Sequence, residues 1–143
     1  MLAFPQSAAA DTTLTPLPGT DSQGPVWVKY PRYLGETQCG IYLGVSCGLN
    51  PSYLVPNNVD TCVPGWGWRA THVGVGPDGD LKYSCGGNGF GMNIDPAWLQ
   101  ELNFGTTYES NGWSITPIDD GITFTNSATG HGMTYTTRWV NAF

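Results

Sequence analysis

Short β-forming stretches, each ended by a glycine- or proline-rich turn, are the feature that most limits what this chain can fold into. The alternation is clearest over residues 68–75, where every second side chain falls on the same face of an extended strand. The sequence GPDG at 76–79 is typical of a tight turn, and residues 81–84 then return as the hairpin partner. Strands and turns of this kind indicate an antiparallel sandwich or a small barrel.

The other strand candidates have the same mixture of β-branched and aromatic residues between turns. They cover residues 26–30, 40–46, 90–94, 113–118, 122–126 and 133–140, with a shorter one at 53–55 inside a proline-containing loop. One short helix is predicted over residues 95–102, because Asp95 is a good N-cap and Pro96 suits the first helical position. The predicted fold class is therefore mostly β, with one short helix and disulfide stabilisation.

The length and composition favour one folded domain. A chain of 143 residues suits a single domain, and 13% aromatic with only 11% charged residues supplies enough apolar surface to offset chain entropy. Residues 1–24 are rich in Thr, Pro, Ala and Ser without periodicity. We predict that they form a flexible arm and that residues 25–143 form a single β domain.

Four cysteines, an even number in a chain with few charges, favour disulfides and an oxidising compartment. They are Cys39, Cys47, Cys62 and Cys85. The alternative is four free thiols in a cytosolic protein. Three pairings exist, and the favoured one joins Cys47 to Cys62 and Cys39 to Cys85, because the segment between residues 47 and 62 is rich in turns and can bring its ends together.

The termini and the charge bear on location and partners. The first ten residues, MLAFPQSAAA, resemble the tail of a signal peptide, although an ordinary disordered N-terminus is the alternative. No apolar run approaches the ~20 residues that a membrane-spanning helix needs. The net charge is -6 and the five basic residues are scattered, whereas phosphate binding needs them clustered. We therefore predict a secreted protein that binds neither nucleic acid nor membrane.

Two apparent ligand motifs do not predict a cofactor. Residues 74–79 match the letters of G-x-G-x-x-G, but a dinucleotide site must open a helix, and here a hairpin turn follows instead. There is no C-x-x-C, and the histidines fit no zinc-ligand spacing. Asp78 and Asp80 lack the further oxygen ligands of a recognised calcium loop, and they are predicted turn residues, like Asp119 and Asp120. We predict no metal and no cofactor.

The candidate catalytic groups are few. His131 lies in a Gly-His-Gly loop and, with His72, is one of two side chains whose ordinary pKa lies near neutral pH. The carboxylates without an evident role in a turn or a cap are Glu36, Asp60, Glu101 and Glu109. A glycosidase needs two carboxylates that face each other across the scissile bond. The alternative for all these residues is a surface or hydrogen-bonded role.

The tryptophans suggest a ligand contact. Trp66 and Trp68 flank a glycine where a loop enters a strand, and a flat indole can stack on the apolar face of a sugar ring. His72 shares the face of Trp68 and could add a directional hydrogen bond. Burial of both indoles in the core is the alternative. The remaining tryptophans lie in periodic segments and are predicted core residues: Trp27, Trp98, Trp113 and Trp139.

One local resemblance accompanies these patterns. Residues 82–86 (KYSCG), with Asn88 and Phe90, resemble a stretch in the β-barrel major allergens and effectors of filamentous fungi. The likeness covers about a dozen residues, and the later cysteines of that family are missing here. It implies a small secreted β protein of effector-like character.

The functional hypotheses belong to three classes. The first is a secreted binding protein, effector-like or glycan-binding and without catalysis, whose ligand-binding residues are Trp66, Trp68 and His72. The second is a small secreted hydrolase of polysaccharide or another polymer that uses a carboxylate pair or His131. The third is a structural or toxin-like protein that serves only protein contacts. The expected partner is a glycan or a protein outside the cell.

Overall fold

The computed structural model describes residues 13–17, 26–29, 38–48, 72–84, 99–136 and 139–143. Within these ranges the chain forms twelve strands and no helix. The strands are β1 (Thr15–Pro16), β2 (Val26–Lys29), β3 (Gln38–Ile41), β4 (Val45–Gly48), β5 (His72–Val75), β6 (Leu81–Ser84), β7 (Gln100–Glu101), β8 (Tyr108–Ser110), β9 (Trp113–Ile118), β10 (Gly121–Asn126), β11 (Gly132–Thr136) and β12 (Val140–Ala142).

The strands make two six-stranded sheets. The first sheet has the order β1-β8-β9-β10-β11-β12, and the second has the order β6-β5-β4-β3-β2-β7. All pairs are antiparallel except β1 with β8 and β2 with β7, which are parallel. The mostly β prediction is confirmed, and each sheet is mixed because it contains one parallel pair.

A single apolar core holds the sheets together. In β9 the burial alternates strictly, so that Trp113 and Ile115 point inward while Ser114 and Thr116 point outward. Inward side chains of both sheets belong to one buried cluster, including Val28, Ile41, Val73, Phe124 and Met133. Two alternating faces that meet in one core are the arrangement of a β-sandwich.

Polar contacts also connect the two sheets. The Tyr135 hydroxyl on β11 donates to the Gly48 carbonyl on β4 at 2.7 Å. The Asn111 amide donates to the Ile41 carbonyl at 3.1 Å, and the Thr129 hydroxyl donates to the Pro77 carbonyl at 2.5 Å. The first bond joins two strands, and the other two attach turns of the first sheet to the second sheet.

Several predicted strands are confirmed, and two are divided. Strands β2, β6, β9 and β10 lie where the sequence placed them, apart from their end residues. The stretches 40–46 and 133–140 were each predicted as one strand, which is wrong. A bend at residues 42–44 separates β3 from β4, and the carbonyl of Trp139 accepts the Thr136 amide at 2.9 Å where the chain reverses between β11 and β12.

The described end of the predicted helix is extended. Gln100 and Glu101 form β7, and the Leu102 amide donates to the Lys29 carbonyl at 3.3 Å. The prediction of a helix is therefore wrong over 100–101, because pairing with the edge of β2 and complete burial of Leu102 outweigh local helix propensity. Residues 95–98 lie outside the described residues, as do the strand candidates at 53–55 and 90–94.

Part of the predicted N-terminal arm lies in the first sheet. The Thr15 and Leu17 amides donate to the carbonyls of Thr107 and Glu109 at 2.9 and 3.0 Å. Leu17 is buried among the core residues. Residues 15–17 therefore lie at an edge of the sheet. The prediction of a flexible arm over 1–24 rested on local composition, which does not indicate a partner strand.

The disulfide joins Cys39 to Cys47, and the favoured pairing is wrong for both cysteines. The two residues are direct cross-strand partners in β3 and β4, with their Cα atoms 4.1 Å apart and both side chains fully buried. The prediction considered only which loops could close, and it treated 40–46 as one strand, which hid the hairpin. Cys62 and Cys85 lie outside the described residues.

Candidate functional site

The outward face of β4 and β5 carries almost no side chains. In both strands the inward residues are buried apolar ones, Val45 and Cys47 in β4 and Val73 and Val75 in β5. The alternate positions are small, with one exception at His72. These alternate positions are Gly44, Ser46 and Gly48 along the first strand and His72, Gly74 and Gly76 along the second. Because β4 and β5 are hydrogen-bonded neighbours, the small positions form one continuous floor.

An open cleft of about 330 Å³ lies on this floor. Gly44, Ser46, Gly74 and Gly76 line its base. Its wall is formed by the β5–β6 hairpin, through Asp78, Asp80, Lys82 and Ser84. The base is therefore flat backbone, and the hydrogen-bonding side chains stand along one side.

The wall side chains are exposed and mutually connected. The Lys82 ammonium lies 3.5 Å from the Asp80 carboxylate, and both side chains are well exposed. The Asp78 carboxylate accepts the Asp80 amide at 3.1 Å. An exposed ion pair contributes little to stability, so these groups remain available to exchange their partners for those of a ligand.

Two glycines of the floor, Gly44 and Gly74, are required by the packing of the strands. A Cβ built on Gly74 would lie 2.8 Å from the Val45 carbonyl oxygen, and one on Gly44 would lie 2.8 Å from that of Val75. Real Cβ atoms do not approach so closely. The close approach of β4 and β5 thus excludes side chains and leaves the floor bare as a consequence.

The predicted ligand residues are only partly placed. His72 lies on the same face as the floor, and its cross-strand partners are Gly48 and Ser84. Its side chain is buried, with 3% exposed. Its cross-strand neighbour Ser84 lines the cleft, so His72 lies at the margin of the site. Trp66 and Trp68 lie outside the described residues.

The described catalytic candidates are not brought together. Glu101 is on β7, four strand spacings from β5, which is roughly 19 Å. Glu109 is on β8, three spacings from β11 and hence roughly 14 Å from the strand that follows His131. Both carboxylates are exposed. Glu36 and Asp60 lie outside the described residues.

His131 lies beside the hairpin that forms the cleft wall. Its Nδ1 atom is 3.1 Å from the Phe143 carbonyl oxygen, and a Cβ on Gly79 would lie 3.0 Å from the same nitrogen. The imidazole is exposed. It is positioned by loop contacts, and it lies against the turn of the hairpin, away from the floor.

Other predictions about single residues have mixed outcomes. The turn at 76–79 is confirmed by the Gly79 amide, which donates to the Gly76 carbonyl at 3.0 Å, so the G-x-G-x-x-G letters belong to a hairpin. Trp113 is buried as predicted. Trp139 is 48% exposed, and its assignment to the core is wrong because it falls on the outward face of an edge strand.

Comparison with known proteins assigns this chain to no family. No family model matches the chain, and no curated protein and no solved structure matches it either. Within the described ranges, three or more potential metal ligands nowhere come together. No helix found there has the length and apolar character to cross a membrane.

Sequence reasoning missed the side chains of the cleft wall and the floor itself. Ser46, Lys82 and Ser84 carry no motif, and Asp78 and Asp80 were explained as turn residues. The available signal was the alternation of small with apolar residues in GVSCG at 44–48 and HVGVG at 72–76. Glycine at alternate positions of a strand indicates that something approaches the backbone closely.

Proposed function

We propose that this protein is a secreted binding protein that holds a hydroxyl-rich ligand, a short segment of a glycan, in the cleft on the second sheet, without catalysis of its own. The observation that carries the proposal is the bare floor of β4 and β5 with hydrogen-bonding side chains along one wall. A flat floor accepts a ring lying face down, and carboxylates, hydroxyls and an ammonium group at its side can bond the hydroxyls at the edge of the ring.

The size of the cleft supports a short ligand segment. Ligand pockets commonly occupy about 300–1,000 Å³, and 330 Å³ is at the lower end of that range. The cleft is open to solvent, so a longer polymer can continue beyond it. Two carboxylates and one ammonium group on the wall disfavour a strongly anionic ligand.

The separation of the described carboxylate candidates, Glu101 and Glu109, supports binding over hydrolysis. A carboxylate pair for glycoside hydrolysis must stand about 5–9.5 Å apart across one bond. Glu101 and Glu109 lie on different sheets, and neither borders the cleft. Among the described residues, the carboxylates that border the cleft are Asp78 and Asp80, and both are exposed side chains of the β5–β6 hairpin.

Secretion is supported by the disulfide. The Cys39–Cys47 bond is compatible with an oxidising compartment, where such bonds persist. The signal-like first ten residues remain a prediction from the sequence.

A filled cleft tests the proposal. Ser46→Phe places a ring on the floor, and Thr106→Phe is the matched control, since both residues are half-buried and Thr106 does not line the cleft. The ligand is first identified on a glycan array, and its affinity is then measured by calorimetry. We expect Ser46→Phe to weaken binding at least ~30-fold, about 2 kcal/mol, and Thr106→Phe to leave it unchanged, with similar melting temperatures for both.

Catalysis is measured on the same ligand. Reducing ends released by the wild-type protein should not exceed those of a heat-inactivated sample. Release that disappears in Asp80→Asn would establish the hydrolase instead. Equal affinity in Ser46→Phe and the wild-type protein would refute the cleft as the binding site.

A further inference from the structure

The outward face of the first sheet carries a regular array of hydroxyl groups. Every second residue of β9, β10 and β11 points away from the core, and at these positions the chain places mostly serine and threonine. The outward hydroxyl-bearing residues that remain half-exposed are Ser114, Thr116, Thr123, Thr125 and Thr134. We refer to these five residues as the hydroxyl array.

The strand register aligns the array into rows. Thr116 is the cross-strand partner of Thr123, Thr123 is that of Thr134, and Thr134 is that of Asn141 on β12. Ser114 and Thr125 are partners in the adjacent row. Neighbouring positions in a row are therefore about 4.8 Å apart, and the surface repeats in two directions.

Hydrogen bonds connect the hydroxyls along one row. The Thr123 and Thr134 Oγ1 atoms are 3.3 Å apart, and the Thr116 Oγ1 atom donates to that of Thr107 at 3.2 Å. Each hydroxyl can donate once and accept twice, so a bonded pair still has acceptor sites for an external partner. β-branched side chains have restricted χ1 rotation, which keeps the hydroxyl positions ordered before any ligand arrives.

Two exposed aromatic residues flank β12 and border the array. Trp139 is 48% exposed and Phe143 is 44% exposed. They alternate with Val140 and Ala142, of which Val140 packs against the core, so the rings fall on the outward face. The Phe143 ring lies close to Gly132. A Cβ built on Gly132 would be 3.0 Å from the ring carbon Cζ.

The centre of the face carries no charged side chain. Neither the array nor residues 139–143 include a charged side chain. Glu109 on β8 is the direct cross-strand partner of Ser114, so one exposed carboxylate lies at the β8 side of the face. An anionic partner would find no opposite charge among these described residues, and a cationic partner would find one carboxylate at the margin. A purely apolar partner would have to remove water from five hydroxyl groups without replacing their hydrogen bonds.

From this array and its aromatic border we propose that the outward face of the first sheet is a planar binding surface for a neutral polysaccharide. Regularly spaced hydroxyls match a polymer that itself presents hydroxyls at regular intervals, and Trp139 and Phe143 offer flat apolar area for its rings. The ligand class rests on the proposed function, but the surface is separate. It lies on the opposite side of the sandwich from the cleft, because the two sheets pack through their inward faces.

Pelleting with insoluble polysaccharides tests this surface. The probes are microcrystalline cellulose and chitin, with anionic polygalacturonate as the charge control. Two variants address the face: Trp139→Ala, and the double variant Thr123→Val/Thr134→Val, which removes two hydroxyls at nearly constant volume and β propensity. Leu43→Ala is the matched control for loss of exposed apolar area, since Leu43 is 74% exposed on the β3–β4 turn.

We expect the wild-type protein to be retained by at least one neutral polymer and not by polygalacturonate. Trp139→Ala and the double variant should lower the bound fraction at least ~10-fold, while Leu43→Ala should bind as the wild-type protein does. Trp139→Phe should recover part of the loss because it restores a flat ring.

Three results would overturn the inference. These are no retention on either neutral polymer, equal retention of Trp139→Ala and the wild-type protein, and a wild-type dimer in size-exclusion chromatography that Trp139→Ala converts to a monomer. A fourth result, loss of pelleting in Ser46→Phe, would assign all binding to the cleft. It would overturn the inference and leave the proposed function standing. Pelleting that depends on Trp139 in the absence of any soluble-glycan binding would refute the cleft and support the face.

Discussion

At the scale of single residues, two glycines of the first sheet are required by the closeness of a neighbouring backbone. A Cβ on Gly132 would overlap the carbonyl oxygen of Phe124, and one on Gly121 would overlap that of Tyr135. Gly130, two residues before Gly132, is different, because its φ of +77° favours glycine while the space around it is open. Glycine is thus required by a steric limit at Gly132 and favoured by the backbone angle at Gly130.

Alanine substitution separates these two roles. Gly132→Ala should lower the free energy of unfolding by about 3 kcal/mol, because the clash is with backbone that cannot rotate away. Gly130→Ala should cost about 1 kcal/mol, the penalty of an L side chain at positive φ. Urea unfolding followed by tryptophan fluorescence measures both. Equal losses would mean that the strands at Gly132 can separate at little cost.

At the scale of elements, the β3–β4 hairpin is stabilised by a covalent bond and by burial. Its strands are joined by the cross-strand disulfide, and the side chains on its inner face are fully buried or nearly so. A loop with a sequence separation of 8 yields about 2.5 kcal/mol of stabilisation in the chain-entropy model. Once Cys39 and Cys47 are joined, an intrachain bridge between the remaining cysteines can only be Cys62 to Cys85.

Peptide mapping should therefore find these two bridges. Trypsin cannot separate Cys39 from Cys47, because no Lys or Arg lies between them, whereas chymotrypsin cleaves after Tyr42 or Leu43. A non-reduced chymotryptic digest should contain one linked pair of peptides with Cys39 and Cys47 and a second with Cys62 and Cys85. A linked pair containing Cys47 and Cys62 would contradict the Cys39–Cys47 bond of the hairpin. Alkylated thiols in the unfolded, non-reduced protein would contradict the proposal that the protein is secreted.

At the scale of the whole molecule, the sheets are held by an apolar core and by a few polar bonds at its margins. The Tyr135 hydroxyl is the best example, since its side chain belongs to the core of the first sheet and its oxygen reaches the Gly48 carbonyl of the second. A bond between a largely buried donor and a backbone carbonyl contributes about 1 kcal/mol, and losing it leaves the carbonyl without this donor.

Tyr135→Phe tests this connection between the sheets. We expect a loss of about 1–1.5 kcal/mol in the free energy of unfolding, because the ring stays packed and only the hydroxyl is removed. Tyr42→Phe, at a tyrosine that is 40% exposed, should change it by less than about 0.5 kcal/mol. Thermal unfolding in the calorimeter gives both values, and indistinguishable losses would show that the bond contributes nothing to sheet packing.

The sequence by itself determined what depends on local chemistry. Glycine and proline at 76–79 and the alternation over 113–118 predict a turn and a strand from neighbouring residues alone, and the structure has both. The burial of Trp113 followed from the same alternation. These features need no knowledge of a distant partner, because turn angles and strand periodicity are set within a few residues.

Only the tertiary structure decided which strands become neighbours. Pairing with β2 made residues 100–101 a strand, pairing with β8 placed residues 15–17 in a sheet, and the register of β3 with β4 joined Cys39 to Cys47. The cleft likewise exists because two strands of alternating small residues, separated by 23 residues of chain, lie side by side. Backbone hydrogen bonds carry no side-chain signature of their partner, so register and neighbourhood are chosen by the packing of the whole core.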